Sequence, residues 1–293
     1  MQRENLGNNN LLLPNKLSDI DWAHMWHQQM DEATFRGNGA GFWDNWARSL
    51  PLKTEHSGYV EELISRLELT PDDTLLDVGA GTGALSIPLA RLVRQVTSLD
   101  QSPAMLDHIM NGANRNGLAN ITPLHLDWAQ IQVGRDFPQH DIVLVSRSLP
   151  SNKGITHNLR SIDAAAKRLC YITWKASGYD EIESELSTML NIPYTPSPDY
   201  AVLYNLLLSM GIHANVELFR TSGRRRYNSI PEAYIQIVRS YPAGETEQRA
   251  IIEFLEHRLT YSDGYYYQQK NSLWSLIWWD KSLQKSPNPH PQP

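Results

Sequence analysis

A doubly wound α/β sheet is the architecture this sequence predicts, and three observations predict it. Between Thr74 and Lys175, short apolar runs of strand length alternate with segments of helical spacing. The joints between them are short, so successive strands should pair in parallel through right-handed crossovers. A last apolar run, Leu273 to Trp279, stands far down the chain and reads as an antiparallel insertion into the same sheet. The expectation is a seven-stranded, mostly parallel sheet with N-terminal helices and a helical insertion before the last strand.

The strands expected are Thr74–Val78, Gln95–Asp100, Ile121–Leu126, Asp141–Ser146, Leu169–Lys175, Val216–Arg220 and Leu273–Trp279. Before the first, Trp22 and Trp26 lie four apart, and Phe42, Trp43 and Trp46 share helical spacing, which predicts two amphipathic helices around the Gly-rich break from Arg36 to Gly41. Tyr59, Val60, Leu63, Ile64 and Leu67 predict another, ending before Pro71. Ser102 and Pro103 are an N-cap followed by proline at the first helical position, and Asn116-Gly117 supplies the left-handed residue that ends that helix. Further helices are expected at Asp180–Leu190, Tyr200–Met210, Ala233–Val238 (after the capping-box spacing Ser229 to Glu232) and Glu245–Leu259. The organisation follows: residues 1–56 as a helical extension and lid, 57–285 as the α/β domain with insertions at about 176–212 and 221–268, and the proline-rich 286–293 as a disordered tail.

Composition narrows the partners. The 293 residues include 26 basic and 32 acidic side chains, a net charge of −6, so no global field attracts a polyanion such as nucleic acid. Cys170 is alone, which excludes an intrachain disulfide and a multi-thiolate zinc site. The apolar run Leu11–Leu13 is too short for a secretory signal, and no stretch of membrane-spanning length occurs, so a cytoplasmic, non-membrane protein is expected. His24 and His27 share a helix face, but nothing nearby completes a metal site, and no metal is expected.

Chemistry concentrates in Leu75 to Ser86, LLDVGAGTGALS, where an apolar strand turns through Gly79, Gly81 and Gly83 into a helix. Lacking Cβ, glycine permits a tight turn and lets a ligand approach the backbone amides at the helix start. Gly79, Gly81 and Ala84 also satisfy a dinucleotide fingerprint, which leaves a nicotinamide oxidoreductase open. Asp77, two residues before the first glycine, tilts the choice: a carboxylate repels a pyrophosphate but suits a cationic amino group.

With the strand end TSLD, Thr97 to Asp100, this segment resembles the class I S-adenosylmethionine-dependent methyltransferases, a Rossmann-like family, over about half the chain. The resemblance implies S-adenosyl-L-methionine as cofactor and S-adenosyl-L-homocysteine as product. It implies that Asp77, Gly79, Ala80, Gly81, Thr82 and Gly83 surround the methionine portion, and that Asp100, 17 residues beyond Gly83, holds the ribose hydroxyls with Gln101 and Met105 beside it. It further implies Asp127 at the adenine amino group, Trp128 against the ring, and Ser146 in the SRSLPSN segment between cofactor and acceptor. Trp43, Trp46, Arg147, Asn152 and Arg225 are the candidate acceptor residues, Arg225 as a clamp from the run Arg224–Arg226 for an acidic group.

Methyl transfer from a sulfonium is an in-line displacement whose activation the cofactor carries, so no obligatory catalytic group is expected and none is assigned. Members of the family that methylate base amino groups carry D/N/S-P-P-aromatic after the fourth strand, whereas Ser148-Leu149-Pro150-Ser151 stands here, and Asn191-Ile192-Pro193-Tyr194 lies after the fifth strand. A small-molecule acceptor in a pocket covered by the accessory helices is therefore expected. A protein or RNA acceptor, and a binding protein that holds the cofactor without turnover, are the alternatives.

Overall fold

The architecture was taken from a computed structural model that describes residues 16–33, 44, 58–127, 130–149, 154–176, 181–191, 193, 195–237 and 244–284. Five parallel strands form first: β1 (Thr74–Val78), β2 (Gln95–Asp100), β3 (Ile121–His125), β4 (His140–Ser146) and β5 (Ala166–Lys175). β6 (Asn215–Tyr227), β7 (Thr260–Ser262) and β8 (Tyr265–Asp280) complete an eight-stranded sheet in the order β3-β2-β1-β4-β5-β8-β6, with β7 on the far part of β8. β8 is antiparallel to both β5 and β6, as the late apolar run predicts.

The sheet buries both faces, which is why its central strands read as continuous apolar runs. On one face α1 (Trp22–Glu32), α5 (Ile155–Ala165) and α7 (Tyr200–Ser209) pack over Val143, Val145, Cys170, Ile172 and Trp279. On the other, α2 (Tyr59–Ile64), α3 (Ser86–Leu89) and α4 (Pro103–Arg115) cover Leu75, Ile142, Leu144, Tyr171 and Trp274. A third cluster joins α6 (Glu181–Met189), α8 (Ile230–Ile237) and α9 (Glu245–Arg258) to Tyr227 at the outer end of β6.

Local signals explain the ends of these elements. The Ser102 side chain accepts from the Met105 amide at 3.2 Å, Pro103 opens α4, and Gly117 past its end has φ +65°. Before α8 the Ser229 hydroxyl accepts from the Glu232 amide, while the Glu232 carboxylate reaches the Asn228 amide, so the expected capping box is displaced by one residue.

One stretch is corrected. The insertion expected over about 221–268 holds α8 and α9, but Thr221–Tyr227 continue β6, and Tyr265 to Ser272 continue β8, as paired antiparallel strands. The Gly223-Arg-Arg-Arg226 run looks like a solvated turn. Beyond the end of β5, however, β6 and β8 pair with each other, and ladder hydrogen bonds tolerate polar side chains on an exposed strand. The Asp263-Gly264 pair, at φ +51° and +83°, closes the β7–β8 hairpin with the left-handed geometry such two-residue turns require. The tail from 286 and most of the second N-terminal helix lie outside the described residues; Asp44 is helical.

Candidate cofactor and acceptor site

All the site residues that the structure describes, apart from Arg225, gather at the carboxyl ends of β1, β2, β3, β4 and β5, where an open α/β sheet leaves a crevice. The loop leaving β1 is fastened to its neighbour, since the Gly79 and Ala80 amides both donate to the Leu99 carbonyl at 2.8 and 3.0 Å. Its glycines have separate reasons. A Cβ on Gly79 (φ +66°) would lie 2.4 Å from the Ser148 Cβ, so this glycine admits the loop after β4. One on Gly83 would press on Ile109 of α4 at 3.0 Å. Only on Gly81 (φ +56°) would a Cβ enter open space, so this turn presents bare backbone outward.

Asp100 ends β2 directly beneath that turn. Its Oδ2 accepts from the Gly81 amide at 2.8 Å and its Oδ1 from the Ser102 amide at 2.9 Å. A carboxylate offers about four acceptor directions, so these amides do not use them all. Burial pushes this carboxyl above its ordinary value, the backbone amides of Ser102, Gly81 and Gln101 oppose that, and the nearby Asp44 carboxylate adds to it. Asp44, which accepts from the Ser102 hydroxyl, is a member of this corner that sequence reasoning missed.

Asp77 is sealed under the loop at 1% exposure, with its Oδ2 accepting from the Ser86 hydroxyl at 2.6 Å and Ser86 in turn accepting from Ser98 at 2.8 Å. Burial raises its pKa to about 6, against the Ser86 hydrogen bond and with a smaller push from Asp100. It stands beneath the crevice floor, without direct access to it. Met105 is likewise enclosed, at 2% exposure, and forms inner wall only. Ala80 is buried while Thr82 and Gln101 are half-buried along the rim. Asp127 is exposed just past β3, and its Oδ2 accepts from the Gln130 side chain at 3.4 Å. β3 is held beside the corner by His125, whose Nε2 meets the Gln101 carbonyl at 3.1 Å.

At the ends of β4 and β5 a hydroxyl cluster replaces the isolated Ser146 of the sequence reading. The Tyr59 hydroxyl lies 2.8 Å from Ser146 Oγ and 2.6 Å from Thr173 Oγ1. Tyr59 is the first residue of α2, placed by Gly58 at φ +65°, and its phenol is pushed above its ordinary value by burial, with the Arg147 cation opposing. Its ring meets Trp274 of β8 edge-on at 5.0 Å. The Arg147 guanidinium lies 4.3 Å from the Tyr59 ring centroid and 5.6 Å from that of Trp274. Tyr59, Thr173 and Trp274 were missed because residues so far apart in sequence meet only when β8 enters beside β5. Ser148 closes the cluster against the cofactor side, its Oγ donating to the Val78 carbonyl at 2.5 Å.

Arg225 is corrected. Its guanidinium donates to Gln236 of α8 at 2.9 Å and lies over Tyr227. It pairs with Gln268, six positions along β6 from the Phe219–Trp274 pair, or about 20 Å at the rise of a strand. Trp43, Trp46, Trp128 and Asn152 lie outside the described residues. Among the described residues no cluster of His, Cys, Asp or Glu could hold a metal ion, and no helix is long and apolar enough to cross a membrane.

Residues 75–170 match a family model described as a methyltransferase domain. A solved chain from Bacillus halodurans C-125 superposes with a TM-score of 0.53 over 76% of this chain and 99% of that one, at 13% identity, which is a likeness of fold. An uncharacterised Haemophilus influenzae protein is 28% identical over 89% of this chain and 97% of its own length. The 23S rRNA (uracil(1939)-C(5))-methyltransferase RlmD of Klebsiella pneumoniae is 28% identical over 39% of this chain, which covers 26% of that protein. The fold is that of the Rossmann-like methyltransferases. Residues 75–170 are thus a methyltransferase domain, and its cofactor is S-adenosyl-L-methionine.

Proposed function

We propose that the enzyme methylates a small-molecule acceptor held over the ends of β4 and β5. The observation that carries this reading is Tyr59: buried at 2% exposure, it closes the sheet end from α2 and, with Trp274, walls the position next to the cofactor crevice. Walled, partly apolar sites with a few convergent polar groups suit small ligands.

When bound, the cofactor supplies an activated methyl group. In this reading the chain's own residues do the rest. The outward backbone of Gly81 receives the methionine portion, and Asp100 offers its remaining acceptor capacity to the ribose hydroxyls. Asp77 places negative charge under the amino group, and Asp127 stands where the adenine amino group is read. Ser148, seated against Gly79, fixes the distance between the two half-sites. Alignment of this kind is the main contribution a protein makes to an in-line displacement.

RNA is the second reading, favoured by the partial likeness to an rRNA methyltransferase. The test is transfer of labelled methyl from S-adenosylmethionine to either a low-molecular-mass metabolite fraction or total RNA. Label in the metabolite fraction is expected; label in RNA alone overturns the small-molecule reading.

A further inference from the structure

Arg147 combines three features that packing alone does not require. Its backbone sits at φ +56°, whereas the other described non-glycine residues with positive φ are Asn191 and Asp263, types that adopt this geometry readily. Its amide is pinned to the Thr173 carbonyl at 3.2 Å, which holds the residue in that conformation at the end of β4. Its guanidinium rests on the Tyr59 and Trp274 rings, yet among the described residues no carboxylate pairs with it. Arg66 and Arg168, by contrast, are each matched by carboxylates: Arg66 with Glu62 and Glu217, Arg168 with Asp73.

A guanidinium lying over aromatic faces leaves N–H groups at its edge able to meet a carboxylate through two parallel hydrogen bonds. The aromatic faces restrain the guanidinium and so lower the ordering cost of binding. Arg147 is exposed, and its neighbours Ser146 and Ser148 touch the hydroxyl cluster and the glycine loop respectively. In a chain of net charge −6, Arg147 is a cation that no carboxylate among the described residues compensates, beside the proposed methyl-transfer position.

We propose that Arg147, stacked on Tyr59 and Trp274, binds a carboxylate group of the methyl acceptor, so that the enzyme acts on carboxylate-bearing small molecules. The inference rests on the small-molecule reading above and adds the acceptor's charged group. The role expected for Arg225 thus falls to a residue at the site itself.

The experiment is ligand-observed NMR on the full chain saturated with S-adenosylhomocysteine, using benzoate as the carboxylate probe, benzamide as its neutral counterpart and phenyl phosphate as the alternative anion. Benzoate should bind the wild-type protein at millimolar concentration, and Arg147→Met should weaken it about tenfold or more, with partial recovery in Arg147→Lys. Benzamide should respond equally in all three. Arg225→Met should leave benzoate binding unchanged. Equal benzoate binding by wild type and Arg147→Met overturns the proposal, as does failure of the wild type to bind benzoate, or binding of phenyl phosphate in its place. Titration of S-adenosylhomocysteine into the same variants separates the two levels: loss of that binding in the wild type speaks against the cofactor site, while its retention confines any failure to Arg147.

Discussion

At Asp77 burial and charge pull against each other, and pH decides the balance. A carboxyl that ionises near 3.8 in the unfolded chain and near 6 in the folded one binds more protons when folded across that interval. Its contribution to stability is therefore full below about pH 4 and lost as pH rises through about 6, a difference of about 3 kcal/mol. Urea midpoints measured from pH 4 to 7 should fall more in the wild type than in Asp77→Asn, whose neutral side chain can still accept from Ser86. Cofactor affinity should run the other way. A cationic amino group above Asp77 favours the ionised form, so affinity should weaken about tenfold per pH unit below about 6, and Asp77→Asn should flatten the profile. A flat wild-type profile in calorimetric titration removes Asp77 from the amino-group role. Asp100→Ala, tested in the same titration at pH 7.5, should cost about 1–3 kcal/mol of cofactor binding through loss of charged hydrogen bonds.

Gly79 is the second residue-scale case. Alanine there places a Cβ within 2.4 Å of Ser148, and the crowding should destabilise the fold by about 1–3 kcal/mol. The double variant Gly79→Ala with Ser148→Gly should recover part of that loss in a denaturant melt, because the clashing Cβ and hydroxyl are removed while the positive φ remains. No recovery means that backbone strain, not the contact between the two loops, sets the cost.

Among the elements, α1 matters more than an N-terminal lid would. Trp26 is fully buried, its ring 5.1 Å from that of Trp174 in β5, and α1 packs within the same core as α5 and α7. Trp26→Ala should cost about 3–5 kcal/mol, a core-sized loss read from the urea midpoint. A loss under about 1 kcal/mol would make α1 a detachable cover after all. The β6–β8 ribbon shows the opposite relation between pattern and outcome. Its apolar half, Leu273 to Trp279, is legible as a strand because both of its faces are buried. Its polar half carries arginine, glutamine and asparagine without a one-sided apolar pattern, so only pairing with β6 defines it. The Asp-Gly turn was the local signal that reveals its start.

For the whole molecule, the glycine loop, Asp77 and Asp100 are close in sequence and joined by one strand–helix–strand unit. Local spacing together with the family resemblance therefore made the proposed cofactor half of the site readable, as alternating strands and helices did the parallel pairing of the first five strands. Capping at Ser102 and Gly117 was equally local. The acceptor half is built otherwise. Tyr59, Arg147, Thr173 and Trp274 come from α2, the ends of β4 and β5 and the middle of β8, and meet because β8 inserts antiparallel between β5 and β6. No periodicity records such a meeting, since contact between distant residues depends on strand order and register. The sequence by itself thus determined the sheet and the cofactor corner, whose parts lie within one chain-local motif. Tertiary structure decided which arginine rests on Tyr59 and Trp274, which glycine faces the crevice and which carboxyl is sealed beneath it, because each depends on packing between elements that the chain brings together only on folding.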